Sequence, residues 1–421
     1  MTTFYAAYAL LVLALTAISA STLAWMLYAW RTPEQLAKTA FPTTGSATTS
    51  FSLVVPARHE EGVLGATLDR LAELEHPYFE ILVVVGDDDP GTRAAADAAA
   101  ERHPSLIRVL TDTSRPKSKP KALNTALPEC RGAVVGVFDA EDDVHPELLA
   151  KVDALLDETG ADMAQGGVQL VDYWSSWYSV RSCLEYYFWF RSRLHFHADE
   201  RFIPLGGNTV FVRVDLLRRA GGWDPDCLAE DCELGVRLST AGAAVAVAYE
   251  PQLATREETP HTLGQLLRQR TRWNQGFLQV LRKGHWRRLP TRRQRLLARY
   301  TLAMPFLQAF TGLLIPLSIL SIPLLEVPLG LALLSFVPLF VTLVILVVEV
   351  VGLYDLRRLF GGPARKRDVA RLVLGTPLYQ VVLAAAALRA VVREGFGKRD
   401  WEKTAHAGRH LRPELDRAGA G

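Results

Sequence analysis

The run Asp139-Ala140-Glu141-Asp142-Asp143 sets four carboxylates directly after the apolar residues Ala133-Val134-Val135-Gly136-Val137-Phe138. The apolar run has the length and β-branched content of a buried strand. Its acids therefore fall at a strand's carboxyl end, where open α/β sheets bind ligands. Crowded acids repel one another unless something positive joins them, and a hard divalent cation such as Mg²⁺ or Mn²⁺ takes oxygen ligands of this kind. The plain rival is a solvated turn, with Asp143 capping a helix over 146–156.

Other polar groups stand at comparable places. Arg58-His59-Glu60 follows an apolar run over 51–55, and Gly86-Asp87-Asp88-Asp89 follows one over 81–85. Gly206-Gly207-Asn208 offers a backbone free of side chains beside a hydrogen-bonding amide, as a tight sugar or phosphate contact requires; an ordinary strand turn has the same look. No Gly-rich phosphate loop is present. Phosphates would fall to metal and to the cations Arg115, Lys117, Lys119 and Lys121 of a Pro-broken loop. Glu230 and Asp231 open a helix, where acids usually cap; a general base is the alternative if neighbours or burial raise the pKa from about 3.9. Gln269, Arg272 and Trp273 stand at i, i+3 and i+4 of another helix. An amide, a guanidinium fork and an indole on one face suit a sugar diphosphate, and equally an amphipathic helix on a membrane surface.

The elements that must position these groups alternate. Strands are expected over 51–55, 81–85, 107–110 and 133–138, and helices over 62–74, 92–102 and 121–127. That alternation argues for a parallel, doubly wound α/β sheet. Aromatic-rich segments at 173–178 and 186–190 fit a membrane-side or groove-lining position, or a core helix.

The flanks are of another kind. Residues 4–30 carry no charge and exceed the roughly 20 needed to cross a bilayer. With no basic segment ahead of them they read as a transmembrane helix rather than a signal peptide, and Arg31 and Lys38 place their C-terminal side in the cytoplasm. Residues 31–50 read as a linker, 51–280 as the cytoplasmic domain and 281–299 as a basic segment on anionic lipid headgroups, with nucleic acid a poor rival so near a bilayer. Two spans are expected over 300–325 and 327–354, joined by a turn at 326–328, with Glu349 inside the second. A third apolar segment, 369–392, is interrupted by Arg371 and Pro377. If it spans, the basic tail 393–421 lies outside, against the charge rule; if it lies in the interface, the tail stays inside. The chain has 421 residues and net charge +2, and its four cysteines lack the paired short spacing of a zinc site, so they read as reduced thiols.

Taken together, Lys119-Pro120-Lys121-Ala122-Leu123-Asn124, Asp139-Ala140-Glu141-Asp142, Glu230-Asp231 and Gln269-Arg270-Thr271-Arg272-Trp273, in this order between hydrophobic segments, resemble a membrane-embedded family 2 glycosyltransferase. The likeness covers 51–276 and the C-terminal spans, and is nearest to the branch of cellulose, hyaluronan, chitin-oligosaccharide and poly-N-acetylglucosamine synthases. It implies a GT-A-type sheet domain inserted between transmembrane helices of the inner membrane. The activity implied is inverting transfer from a nucleotide sugar, usually a UDP-sugar, to a growing polysaccharide. A lipid acceptor taking one sugar and an inactive nucleotide-sugar scaffold are the alternatives, and an export partner is left open. By this resemblance Asp87 or Asp88, with Glu60 and Lys119, holds the base and ribose. Asp139 and Glu141 hold the diphosphate, the latter through Mg²⁺ or Mn²⁺, with Asp142 a further ligand candidate. Asp231, beside Glu230, takes the acceptor proton; Arg272 neutralises the departing diphosphate; Trp273 packs on the acceptor sugar.

Overall fold

Phe51-Ser52-Leu53-Val54-Val55 is apolar enough to be buried on both faces, and in the computed structural model it forms a central strand of a seven-stranded sheet. The structure describes residues 2–43, 45, 47–321, 328–360, 364–398, 400, 402 and 408–411. The expected turn at 326–328 falls largely outside the described residues.

Strands β1 (Phe51–Ala57), β2 (Phe79–Gly86), β3 (Ile107–Asp112) and β4 (Val134–Val137) are mutually parallel, linked by helices α3 (Leu64–Ala72), α4 (Pro90–Arg102) and α5 (Lys119–Ala126), as the alternation predicts. The sheet continues through β7 (Val210–Arg213), β5 (Met163–Gln165) and β8 (Val245–Val247), in the order β3-β2-β1-β4-β7-β5-β8. Here it departs from an all-parallel sheet, because β7 runs antiparallel to both neighbours. The reversal serves the site. Val137 at the end of β4 pairs with Val210 at the start of β7, so Gly206-Gly207-Asn208 lie beside the acids that follow β4. A short parallel pair, β6 (Val168–Leu170) with β9 (Thr255–Glu257), lies alongside. Asp143 caps no helix. α6 (Leu148–Thr159) begins after Glu147, and Asp143 instead forms a backbone bridge with Arg256 of β9.

Helices α7 (Ser179–Phe188) and α8 (Leu194–Asp199), joined by the π-helical turn Trp189–Arg193, carry the second aromatic-rich segment into a shared core with the sheet. α9 (Val214–Arg219), α10 (Glu230–Thr240) and α11 (Leu263–Lys283) complete the domain; all four cysteines are buried and free.

Around it stand α1 (Thr2–Met26), the short α2 (Pro33–Ala37), α12 (Arg292–Ser321), α13 (Leu329–Phe360) and α14 (Lys366–Gly395). Among the described residues Tyr5–Met26, Leu329–Phe360 and Lys366–Gly395 are long and apolar enough to cross a membrane. α14 continues through Arg371 and Pro377 rather than breaking there, and it is bonded to α7 and α11. Thr376 accepts from Arg181 at 3.1 Å, the Tyr379 hydroxyl donates to Glu185 at 2.9 Å, and Gln275 of α11 donates to Glu394 at 3.2 Å. Glu349 of α13 is buried against Arg181 of α7 at 2.5 Å.

Candidate active site

The parallel strands deliver their carboxyl ends to one edge of the sheet, and there a cavity of about 1680 Å³ opens. Glu60, Asp88, Asp112, Lys119, Asp139, Glu141, Gly207, Asn208, Glu230, Asp231, Gln269, Arg272 and Trp273 all line it; Asp87 and Asp142 do not.

After β2 three successive acids do three jobs. Asp87 accepts from Arg115 at 2.9 and 3.0 Å and pairs with Lys117 at 2.8 Å, and those cations hold its carboxyl well below the usual range. Asp88 is gripped by Arg58 at 2.8 and 3.1 Å and faces the cavity. Asp89 caps α4 by accepting from Thr92 N, and also accepts from His59 N at 2.6 Å. β3 adds Asp112, which accepts from Ser114 N at 2.9 Å. The sequence reading passed over this strand end, although Thr111-Asp112 follows its apolar run directly.

The acids after β4 divide by exposure. Asp142 is fully buried, one oxygen accepting from Asp139 N at 2.8 Å and the other from Asn208 Nδ2 at 2.7 Å. Both oxygens are thus committed, which sets Asp142 behind the site rather than among metal ligands. Asn208 donates also to Glu257 Oε1 at 2.6 Å, so Glu257 joins the cluster from β9. No spacing in the sequence pointed to Glu257, because a three-residue strand carries too little pattern to read. Lys119 is ion-paired with Asp139 and donates to the Gly207 carbonyl at 2.8 Å. Burial works against its charge, yet Asp139, Glu230 and Asp231 hold its pKa above the usual ammonium range.

Burial and neighbouring negative charge push Glu141 and Asp142 well above ordinary carboxylate values and raise Glu257 to about 7. Among the described residues no three ligating side chains form a ready cage for a metal. Mg²⁺ and Mn²⁺ sites of nucleotide enzymes seldom need one, since one or two carboxylates act together with substrate phosphates. Asp139, already paired with Lys119, and Glu141 both face the cavity and fit that role.

Opposite them, α10 begins with Glu230 and Asp231. Burial, then the Asp231 charge, raises Glu230 to about 7; burial raises Asp231 as well, against the pull of Lys119 and Arg272. Asp231 accepts from Cys232 N at 2.7 Å, and a Cβ at Gly207 would stand 3.0 Å from its other oxygen. Only glycine lets that backbone approach so closely.

α11 supplies the remaining face. Thr262 and Gln265 cap it reciprocally, fixing where its first turn starts. Gln269, Arg272 and Trp273 then reach the cavity together, Trp273 under the Arg270 guanidinium at 4.6 Å and Arg270 paired with Glu185 at 2.6 Å. The Arg272 Nε is buried without an acceptor among the described residues.

Residues 48–276 match the model of a family described as glycosyltransferase like family 2. Over 251 residues the chain is 30% identical to a beta-monoglucosyldiacylglycerol synthase of Synechocystis sp., covering 56% of this chain and 50% of that protein. Over 284 residues it is 25% identical to a poly-beta-1,6-N-acetyl-D-glucosamine synthase of Staphylococcus epidermidis, covering 64% of each. In fold it is similar to a mannosyltransferase from Pyrobaculum calidifontis solved in complex with GDP-Man and Mn²⁺, with a TM-score of 0.57 and 20% identity over 93% of this chain and 99% of that one. The chain spans about half the length of the first curated relatives it matches.

Proposed function

The chain belongs to glycosyltransferase like family 2, and from that premise we propose that it moves a sugar, with inversion, from a nucleoside diphosphate sugar to a lipid acceptor entering from the membrane. The observation that carries this reading is the continuity of the cavity. It runs from the strand-end acids past Asp231 and Trp273 to Leu11, Val12 and Leu15 of α1 and Leu339, Leu343 and Leu346 of α13. Sugar rings travel best over aromatic faces, whereas aliphatic walls of this kind suit hydrocarbon chains.

Asp88, Glu60 and Asp112, which line the cavity, would hold base and ribose. Asp139 and Glu141 would hold a divalent cation, which when bound offsets the charge gathering on the leaving diphosphate. Arg272, whose Nε has no acceptor among the described residues, meets the same charge directly. Asp231 takes the proton from the acceptor hydroxyl as it attacks the anomeric carbon. Glu230 shares burial with it and keeps their joint negative charge from being wholly quenched by Lys119. Trp273 gives the acceptor end a flat wall. The Synechocystis relative carries a lipid-glycosylating name. Growth of a polysaccharide is the second reading, favoured by the Staphylococcus relative and the Gln-x-x-Arg-Trp helix.

The test is nucleoside diphosphate release by the purified protein with Mg²⁺ or Mn²⁺ over a panel of UDP- and GDP-sugars, followed by product mass. One lipid-soluble product of fixed mass supports the lipid reading. A ladder of masses replaces it with polymer synthesis, and no release from any donor contradicts both.

A further inference from the structure

Most cations lining the cavity are already spent. Arg58, Arg115, Lys117, Lys119, Arg181 and Arg270 each sit within ion-pair distance of a carboxylate. Lys121 donates to the carbonyls of Arg115 and Pro116. Two arginines differ: among the described residues Arg272 and Arg193 make no hydrogen bond or ion pair, and the Nε of each is buried without an acceptor. The donor diphosphate accounts for Arg272. Nothing in the transfer chemistry accounts for Arg193.

Arg193 ends the π-helical turn, and its guanidinium carbon lies 4.0 Å from the ring centre of Trp25 on α1 and 4.8 Å from that of Trp189. Indole faces hold a guanidinium flat without using its N–H groups, so the fork stays available to an oxyanion. Thr301 of α12 lines the same cavity, and its hydroxyl too is buried without a partner. The position is telling. Trp25 stands in the last turn of the apolar helix α1, and beyond it the cavity is walled by Ile18, Leu15, Val12 and Leu11. A lone cation at the join of a polar chamber and an aliphatic groove sits where a lipid exchanges its hydrocarbon for its headgroup.

We propose that Arg193, clamped between Trp25 and Trp189, binds the phosphate of a phosphate-bearing lipid whose hydrocarbon chain lies along α1. This rests on the reading that the acceptor enters from the membrane, and it narrows the acceptor class to lipids carrying phosphate. A bidentate guanidinium–phosphate contact discriminates strongly against a neutral headgroup, which leaves the buried Nε unsatisfied.

The experiment is native mass spectrometry of the full chain in micelles with phosphatidic acid, with diacylglycerol of the same chains and with inorganic phosphate, for wild type, Arg193→Gln, Arg193→Lys and Thr301→Val. Nucleoside diphosphate binding is recorded in the same spectra. The expected result is at least tenfold preference for phosphatidic acid over diacylglycerol in wild type. That preference is abolished in Arg193→Gln and reduced in Arg193→Lys, which keeps the charge but loses the fork, and in Thr301→Val. Equal retention of the two lipids, or full preference surviving in Arg193→Gln, overturns the proposal. Inorganic phosphate binding as well as phosphatidic acid overturns its lipid component. Failure of the transfer reading appears separately, as absent nucleotide binding in wild type.

Discussion

Asp231 and Glu230 sit together in a chamber where burial, not contact with bulk water, sets their protonation. Replacing Asp231 with Asn keeps shape and hydrogen bonding but removes the base, so kcat is expected to fall by about 10²- to 10⁴-fold while donor affinity, measured by calorimetry, stays within about twofold. Because burial raises the Asp231 pKa and favours its protonated form, turnover should climb as pH rises above the ordinary aspartate range and then level. Glu257 gives a stability counterpart. Its pKa rises from 4.5 to about 7 on folding, so the stability it contributes is full below about 4.5 and is lost as pH rises through about 7. Glu257→Gln keeps an oxygen for Asn208 and removes that penalty. It should raise the stability of the metal-free protein at pH 8 by on the order of 1–3 kcal/mol, read as a higher Tm, with little gain at pH 4.5. Glu141→Gln should weaken nucleotide binding only when Mn²⁺ is present, as titrations with and without the cation would reveal.

At the scale of elements, helices α10 and α11 hold the proposed catalytic acids and the Gln269–Trp273 face in register through one glycine. A Cβ on Gly276 would stand 2.4 Å from Ala229 Cβ and 2.8 Å from its backbone N, immediately before Glu230. Gly276→Ala should therefore lower both Tm and kcat/KM, the latter by about tenfold or more, because the two faces move apart. The alternating strands β1 to β4 and their helices were legible from period and β-branched content. Their polar ends followed, since strand direction alone dictates where Glu60, Asp88 and Asp139 emerge. The reversed strand β7 was not legible: an antiparallel strand of four residues has the same pattern as a parallel one, and only pairing with β4 shows its direction. Glu257, Asp112 and Arg193 were missed for related reasons. Glu257 meets Asn208 from a strand far along the chain, Asp112 follows an apolar run too short to single out its last residue, and Arg193 stands out only once the cavity is assembled.

At the scale of the whole molecule, the charge pattern left the last apolar helix undecided, and packing bears on it. α14 is tied to α7 and α11 from Thr376 to Glu394, and beyond it Gly408 N donates to Glu258 at 3.1 Å while His410 Nε2 donates to the Glu141 carbonyl at 2.7 Å. Those contacts favour α14 lying along the domain with residues 408–411 on the domain's side. A C-terminal fluorescent or alkaline phosphatase fusion should accordingly report cytoplasm; a periplasmic signal would mean that α14 crosses the membrane. The same whole-molecule view makes the catalytic chamber and the aliphatic groove one space, and that union is the central claim. It is tested most directly by giving the purified protein in lipid nanodiscs a labelled nucleotide sugar with Mn²⁺ and weighing the product for wild type and Asp231→Asn. One lipid bearing a fixed number of sugars, formed by wild type and absent from Asp231→Asn, is the predicted result; a sugar polymer free of lipid, or equal product from the variant, would contradict it.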